Sequence, residues 1–274
     1  MTLELLAERA LDGDRQALTD LLEALEAPVF RLSLRILGTV SEAEDATQDI
    51  LIRVMTHLSQ FEGRSALLTW VHQVAVRHLL AAKKSRAETR ALDAPELSEL
   101  LKMGLALAVT LPAPTPEQLL LSREVRLACT QGMLLMLGRE DRLALVLVEV
   151  LDFSAVEAAR ICAVEHAAFR QRLHRAREKL VGFLRRECGL VSPSAACHCS
   201  KQVAPKCATG GLKTAPLTAL ANAGGTDDAA AHRALAELKA ARSACAVFHV
   251  DGALAAPATL HTRLLAAMPT VLRG

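Results

Sequence analysis

The chain has 274 residues, enough for two domains or slightly more, and hydrophobic residues make up 51% of it, whereas aromatic residues make up only 3%. Because much of the apolar content is alanine and leucine and β-branched runs are sparse, the composition predicts an all-α fold. The formal net charge of +2 excludes a global positive field as the means of binding nucleic acid and leaves only local basic patches for that purpose.

The sequence shows no sign of a membrane protein. No apolar stretch approaches the roughly 18 uninterrupted residues of a membrane span. The segment Met1 to Asp14 carries acids early and lacks the basic-then-apolar pattern of a secretory signal. We therefore expect a cytoplasmic protein without a membrane partner. Its seven cysteines would then be reduced thiols or metal ligands rather than disulfides.

The first residues, 3–37, are predicted to be helical from their apolar spacing. Gly13 and Asp14 mark a turn between helices, and Pro28 is expected at or near a helix start. Gly38 is expected to end this part as a helix C-cap.

A second helical segment carries an unusual set of polar residues. Ser41 and Glu44 have the spacing of a capping box, which predicts a helix from Glu42 to Leu58. Its buried row is apolar at three- to four-residue spacing. Four polar residues lie off that row and are candidates for facing a partner: Asp45, Gln48, Asp49 and Arg53.

The next motif is a loop, Phe61 to Ser65, followed by a predicted helix from Leu67 to Ser85. That helix contains the only tryptophan, Trp70, which is read either as a core residue or as the wall of a binding pocket. Its last part is basic, through Arg77, Lys83 and Lys84.

A linker is predicted between Pro95 and Pro116. Three prolines within five residues at its end argue against a continuous helix and favour a flexible or extended tether. The apolar run Leu100 to Leu111 is longer than a tether needs, so a short packed helix is an alternative for that part.

The stretch from Phe153 to Lys179 is predicted to be a helix-turn-helix. Ser154 and Glu157 form a capping box for its first helix. After a short turn, the second helix has an apolar stripe, and its other face holds side chains suited to base edges and phosphates: Arg170, Gln171, His174, Arg175 and Arg177. An ordinary amphipathic hairpin with a solvated basic face is the alternative.

The composition changes after Glu187. Four cysteines fall within about twenty residues: Cys188, Cys197, Cys199 and Cys207. Zinc or another thiophilic metal at these thiols, a redox-responsive cluster and no chemistry at all remain alternatives, because the spacing is not that of paired C-x-x-C motifs. Further helices are predicted at Ala229 to Ala246 and Ala256 to Leu272.

Two of these motifs together resemble a known family. Ala43 to Ile50 and Phe61 to Ser65, the latter followed by Leu68 to Val71, resemble the second sigma domain of bacterial extracytoplasmic-function sigma factors. The helix-turn-helix, with Arg172 to Arg177 inside its second helix, resembles their fourth sigma domain. Cys162 stands where the family usually has a turn glycine. The motifs occur in the family's order and at its separation.

The resemblance implies two helical sigma domains at 1–90 and 120–186, a linker at 91–119 and a small helical C-terminal extension at 187–274. It also implies a function without catalytic residues and without a required cofactor: binding core RNA polymerase, recognising a two-element promoter and starting transcription. A helix-turn-helix regulator that does not bind core polymerase is the alternative, and an enzyme built on the tail cysteines is a third.

The resemblance also implies roles for the residues singled out above. Asp45, Gln48, Asp49 and Arg53 would dock on the polymerase. The upstream promoter element would be read by Arg170, Gln171, His174, Arg175 and Arg177. The melted downstream element would be held by Phe61, Arg64, Ser65, Trp70, Arg77, Lys83 and Lys84, since unstacked bases need an aromatic pocket and cations along the backbone.

The tail suggests one further hypothesis. Because it directly follows the predicted DNA-reading helix, it could mask Arg175 and Arg177 and so regulate the protein in cis. That would replace or supplement a separate anti-sigma factor.

Overall fold

The computed structural model describes residues 2–115, 121–210, 247–248, 256–257, 260, 262–264 and 266. Contacts divide the chain into two compact units, one made of residues 1–89, 153–170 and 254–274 and the other of residues 90–152 and 171–253. The described residues form helices and no strand, which confirms the all-α prediction.

The first unit is a helical bundle. Its helices are α1 (Leu3–Leu11), α2 (Arg15–Leu37), α3 (Val40–Thr56), a 3₁₀ turn (Leu58–Gln60), α4 (Leu67–Ala81), α5 (Arg86–Thr89) and α9 (Ala155–Ile161). The first four α-helices pack on one another, and α9 packs on α4. Phe30, Ile50 and Val71 are fully buried in the core of this bundle. The polar side of α3 lies on the surface of the bundle.

Two sequence predictions for this unit need correction. Pro28 lies inside the 23-residue helix α2 rather than at a helix start. The N-cap of α3 is Thr39, not Ser41, and the Thr39 hydroxyl lies 2.5 Å from Glu42 Oε2. Gly38 does end α2, with a φ of 87°, and its N–H donates to Leu34.

Helix α4 ends earlier than predicted, at Ala81. The chain leaves the helix because Ser85 is held elsewhere: its hydroxyl is buried and donates to the carbonyl of Leu37 at 2.5 Å. Lys83 and Lys84 therefore lie on a non-helical segment between α4 and α5.

The second unit contains α6 (Ala94–Thr110), α7 (Ser122–Leu135), α8 (Arg139–Leu145), a 3₁₀ turn (Cys199–Gln202) and α11 (Val203–Ala208). Helix α8 continues as a π-helical turn (Val146–Val150). Helix α10 (His166–Glu187) belongs to this unit from residue 171 onward. Its core includes Leu134, Leu147, Leu180, Phe183 and Val203.

The predicted linker is largely a helix. Asp93 and Glu96 form a capping box at the start of α6, which covers the apolar run and the residues before it. Residues 111–115 are not helical, in keeping with their prolines. Helix α7 begins at Ser122, at the start of the region predicted as the second domain.

The first part of the tail packs on this unit. Gln202 Nε2 donates to the carbonyl of Leu101 at 2.9 Å, and Ser98 donates to Glu187 at 2.8 Å. The helix predicted at 229–246 lies outside the described residues. Of the one predicted at 256–272, residues 260, 262–264 and 266 are described and helical. Within the described part of the chain, no helix is both long and apolar enough to cross a bilayer.

Candidate functional site

The polar residues predicted to face a partner lie along one side of α3. Asp45 and Asp49 each expose 64% of their side chains, Gln48 is half-buried and Arg53 is exposed. Ala46 and Ile50, between them in sequence, are buried, so the helical period separates the two faces. We call Glu44, Asp45, Gln48 and Asp49 the acidic face of α3.

An arginine from the far end of the chain occupies part of this acidic face. Arg263 Nη2 lies 2.8 Å from Asp45 Oδ1 and 2.9 Å from Gln48 Oε1, and Nη1 lies 3.7 Å from Glu44 Oε2. The hydrogen bond to Asp45 raises the pKa of Arg263. Sequence reasoning missed this residue, because nothing local links position 263 to a helix more than 200 residues earlier.

The aromatic pair predicted for the downstream element is present. The ring centroids of Phe61 and Trp70 are 5.8 Å apart with an interplanar angle of 52°. Both residues are half-buried, so Trp70 is not a fully buried core residue. A tilted, partly exposed ring pair of this kind offers a surface on which a base can stack.

The cations predicted with this pair are exposed. Arg64 lies next to Glu62 at 2.7 Å on the loop before α4, where Ser65 is also exposed. Arg77, Lys83 and Lys84 are exposed at and beyond the end of α4. Their assignment to single-stranded DNA stays a prediction.

His72, on α4, is buried. Its Nδ1 lies 2.7 Å from the carbonyl oxygen of Leu68, and its ring stands edge-on to Phe153 with centroids 5.0 Å apart. Burial lowers its pKa, and the charge of Arg31 lowers it further. Within the part of the chain that the structure describes, Nε2 has no hydrogen-bond partner.

The predicted helix-turn-helix is formed by α9 and α10. Its capping box is present, with Ser154 N donating to Glu157 Oε2 at 2.9 Å and Glu157 N donating to Ser154 Oγ at 3.2 Å. The turn places Ala163 in the left-handed region, with a φ of 52°. The conformation that favours glycine is thus at Ala163, not at Cys162, whose φ is −78°.

The side chains predicted to read DNA are exposed on α10: Arg170, Gln171, His174, Arg175 and Arg177. Two of them form ion pairs. Arg175 Nη2 lies 2.9 Å from Asp141 Oδ1, and Arg177 Nε donates to Glu149 Oε1 at 2.7 Å. Such pairs fix the direction of a guanidinium but leave donors for another acceptor.

The tail cysteines lie close to a cysteine that sequence reasoning missed. Cys188 and Cys197 are joined by an isolated β-bridge. Burial raises the pKa of Cys129 on α7, and the neighbouring thiols of Cys199, Cys188 and Cys197 raise it further. Burial also raises the pKa of Cys188 and of Cys197. These thiols are therefore protonated near neutral pH.

Among the described residues, no three His, Cys, Asp or Glu side chains are arranged to hold a metal ion. None of the six cysteines in the described part of the chain, Cys207 included, forms a disulfide. The metal site predicted at Cys188, Cys197, Cys199 and Cys207 stays a prediction.

Two family models match the chain. Residues 21–89 match Sigma-70 region 2, and residues 127–180 match Sigma-70, region 4. The first match contains α3, the Phe61–Trp70 pair and α4, and the second contains α8, α9 and most of α10. Neither match reaches the C-terminal tail.

Curated relatives match well over half of the chain. The ECF RNA polymerase sigma factor SigW of Bacillus subtilis is 26% identical over 168 residues, which is 61% of this chain and 89% of that protein. The ECF RNA polymerase sigma-E factor of Escherichia coli is 28% identical over 183 residues, 66% of this chain and 93% of that protein. The sigma-E factor of Salmonella typhi has the same identity and coverage.

Proposed function

The chain is an extracytoplasmic-function sigma factor that directs transcription initiation, and from this premise we propose which of its surfaces meet polymerase and promoter. The observation that carries the proposal is the presence of both sigma regions in one chain, each with its predicted polar residues exposed. As a cytoplasmic protein, it would act through binding and without a catalytic step or cofactor of its own.

The acidic face of α3 is proposed to dock on core RNA polymerase, together with Arg53. Exposed carboxylates at one-turn spacing on a rigid helix suit a basic protein surface, and such charge pairs speed and orient association. The flanking buried residues hold α3 in the bundle, so this face is presented in a fixed geometry.

The promoter contacts are proposed to divide between the two regions. The exposed basic side of α10 suits the major groove of the duplex upstream element. The Phe61–Trp70 pair, with exposed cations on the loop and after α4, suits the unpaired strand downstream.

A helix-turn-helix regulator that works without core polymerase is not favoured. Such a protein would use α10 but would have no use for an exposed acidic face on α3 or for a tilted aromatic pair beside a basic loop. The region 2 match is the specific observation against it.

The test is run-off transcription with purified core polymerase on a library of promoter fragments. We expect specific initiation with the unaltered chain and its loss with Asp49→Arg, while duplex binding persists. Asp12→Arg, an equal charge change at an exposed acid outside α3, is the matched control and should initiate normally. Duplex binding without any association with core polymerase would support the plain regulator instead.

A further inference from the structure

The C-terminal segment, defined here as the described residues Leu260, Thr262, Arg263, Leu264 and Ala266, belongs to the same compact unit as α3. Leu260 and Leu264 are buried, with 0% and 1% exposure. Positions 260, 263 and 264 share one side of a helix, so the buried leucines and Arg263 face the same way. The segment is therefore anchored by apolar burial, and Arg263 is directed onto the acidic face of α3.

Arg263 takes up the acceptors that a docking partner would need. Its guanidinium contacts Asp45 and Gln48 with one nitrogen and approaches Glu44 with the other. A carboxylate oxygen engaged by a guanidinium nitrogen has fewer free acceptor sites for a second cation. A basic partner that binds Asp45 therefore competes with Arg263 for the same acceptors.

We propose that the C-terminal segment is an internal competitor of core RNA polymerase, with Arg263 occupying the part of the acidic face of α3 around Asp45 and Gln48 in the closed state. The proposal rests on the assignment of that face to polymerase under Proposed function. The tail would therefore regulate the protein through Asp45 and Gln48 on α3, and not through Arg175 and Arg177 on α10 as the sequence suggested. Polymerase would then bind only the fraction of molecules in which the segment has been released.

The size of the effect follows from the population of the open state. An exposed ion pair stabilises the closed state only modestly, and burial of the two leucines adds to it. Reversing the charge at Arg263 removes this attraction and adds repulsion from the carboxylates, and because apparent affinity scales with the open fraction, it should tighten polymerase binding roughly five- to tenfold.

The experiment compares full-length Arg263→Glu, Arg263→Lys and Thr262→Ala with the unaltered chain in a fluorescence titration against core polymerase. We expect Arg263→Glu to bind about five- to tenfold tighter and Arg263→Lys to fall between, since lysine keeps the charge but lacks the second nitrogen that approaches Glu44. Thr262→Ala, an exposed neighbour that leaves Arg263 in place, should bind like the unaltered chain.

A second measurement does not depend on polymerase. Carbodiimide labelling of carboxylates, read by mass spectrometry, should modify Asp45 severalfold faster in Arg263→Glu, with Asp12 as an internal reference. No change at Asp45 would show that the contact is absent in solution, and equal or weaker polymerase binding by Arg263→Glu would show that it does not compete. Either result overturns the proposal. If neither the unaltered chain nor Arg263→Glu binds polymerase, the proposed function itself is wrong.

Discussion

Arg177 is held by Glu149, a carboxylate whose side chain is only 7% exposed although the arginine is 45% exposed. The α10 face that is proposed to contact DNA is thus tied to the π-helical turn that follows α8. Removing the cation leaves a nearly buried carboxylate without its partner, which is more costly than losing an exposed pair.

This relationship predicts a rescue. Arg177→Ala should lower the free energy of unfolding by about 1–3 kcal/mol, and adding Glu149→Gln should restore part of it because a neutral amide is cheaper to bury than an unpaired charge. Chemical denaturation of the two single variants and the double variant measures the coupling. Simple additivity of the two changes would contradict the prediction.

Arg170 should contribute to upstream promoter binding without supporting the fold. If Arg170 contacts a base, Arg170→Ala is expected to weaken duplex binding by about 1–3 kcal/mol. If Arg170 contacts a phosphate, the substitution should reduce the slope of log K against log salt concentration by about one. Arg185→Ala is the matched control, because Arg185 is exposed on the same helix but beyond the matched region. Equal losses for both variants would mean that the helix carries only a diffuse charge.

The Phe61–Trp70 pair should act after duplex binding. Trp70→Ala is expected to reduce permanganate reactivity of unpaired promoter thymines severalfold, since stacking on an aromatic ring contributes about 1–3 kcal/mol per base. Upstream duplex binding by the same variant should be unchanged. A parallel loss of core polymerase affinity would point to damage of the bundle rather than loss of a stacking surface.

His72 should make the fold less stable in acid. Its folded pKa is lowered by burial, so below about pH 6.5 the unfolded chain binds more protons than the folded one. Stability from this group is complete above that pH and falls as pH drops toward the folded pKa, at up to roughly 1.4 kcal/mol per pH unit. Thermal unfolding between pH 5 and 8 should show a smaller slope in His72→Gln.

His78 acts in the same direction and needs its own control. Its pKa is also lowered, first by burial and then by Arg53, while Asp49 opposes the shift. His78→Gln should therefore remove part of the acid sensitivity. If the pH dependence of stability is unchanged in His72→Gln but changes strongly in His78→Gln, His78 rather than His72 is the main source of the acid sensitivity.

The turn of the helix-turn-helix should be improved by glycine at one position only. Ala163→Gly relieves a left-handed conformation and should raise the free energy of unfolding by about 0.5–1 kcal/mol. Cys162→Gly, one residue earlier at a negative φ, should give no gain. If Cys162→Gly stabilises the fold and Ala163→Gly does not, the assignment of the left-handed residue to position 163 is wrong.

Local patterns predicted the fold well where only one capping arrangement was available. Ser154 and Glu157 fixed the start of α9 correctly. At α3 two boxes two residues apart competed, and the left-handed Gly38 that ends α2 lets Thr39 begin the next helix before Ser41 can. In the linker, the prolines marked the end of the helix correctly, and the helix left as an alternative for the apolar run is present but begins earlier, at Ala94.

The contacts that local patterns could not predict are distant in sequence. Cys129 lies about sixty residues before the tail cysteines, and only the packing of the 3₁₀ turn on α7 brings them together. Arg263 meets Asp45 across 218 residues. No periodicity or capping rule relates such positions, so these neighbours appear only in three dimensions.

The anchoring of Gln202 has a practical consequence for dissecting the protein. Its buried amide fills a niche against α6 so closely that a Cβ at Gly104 would lie 2.1 Å from its oxygen. Ending the chain after Glu187 would remove Gln202 and expose the surfaces of α6 and α7 that the tail covers. A change in the activity of that shortened protein could then reflect damage to the fold rather than loss of regulation. A break after Gly210 keeps that cover in place, and shortened forms for biochemical work should begin from there.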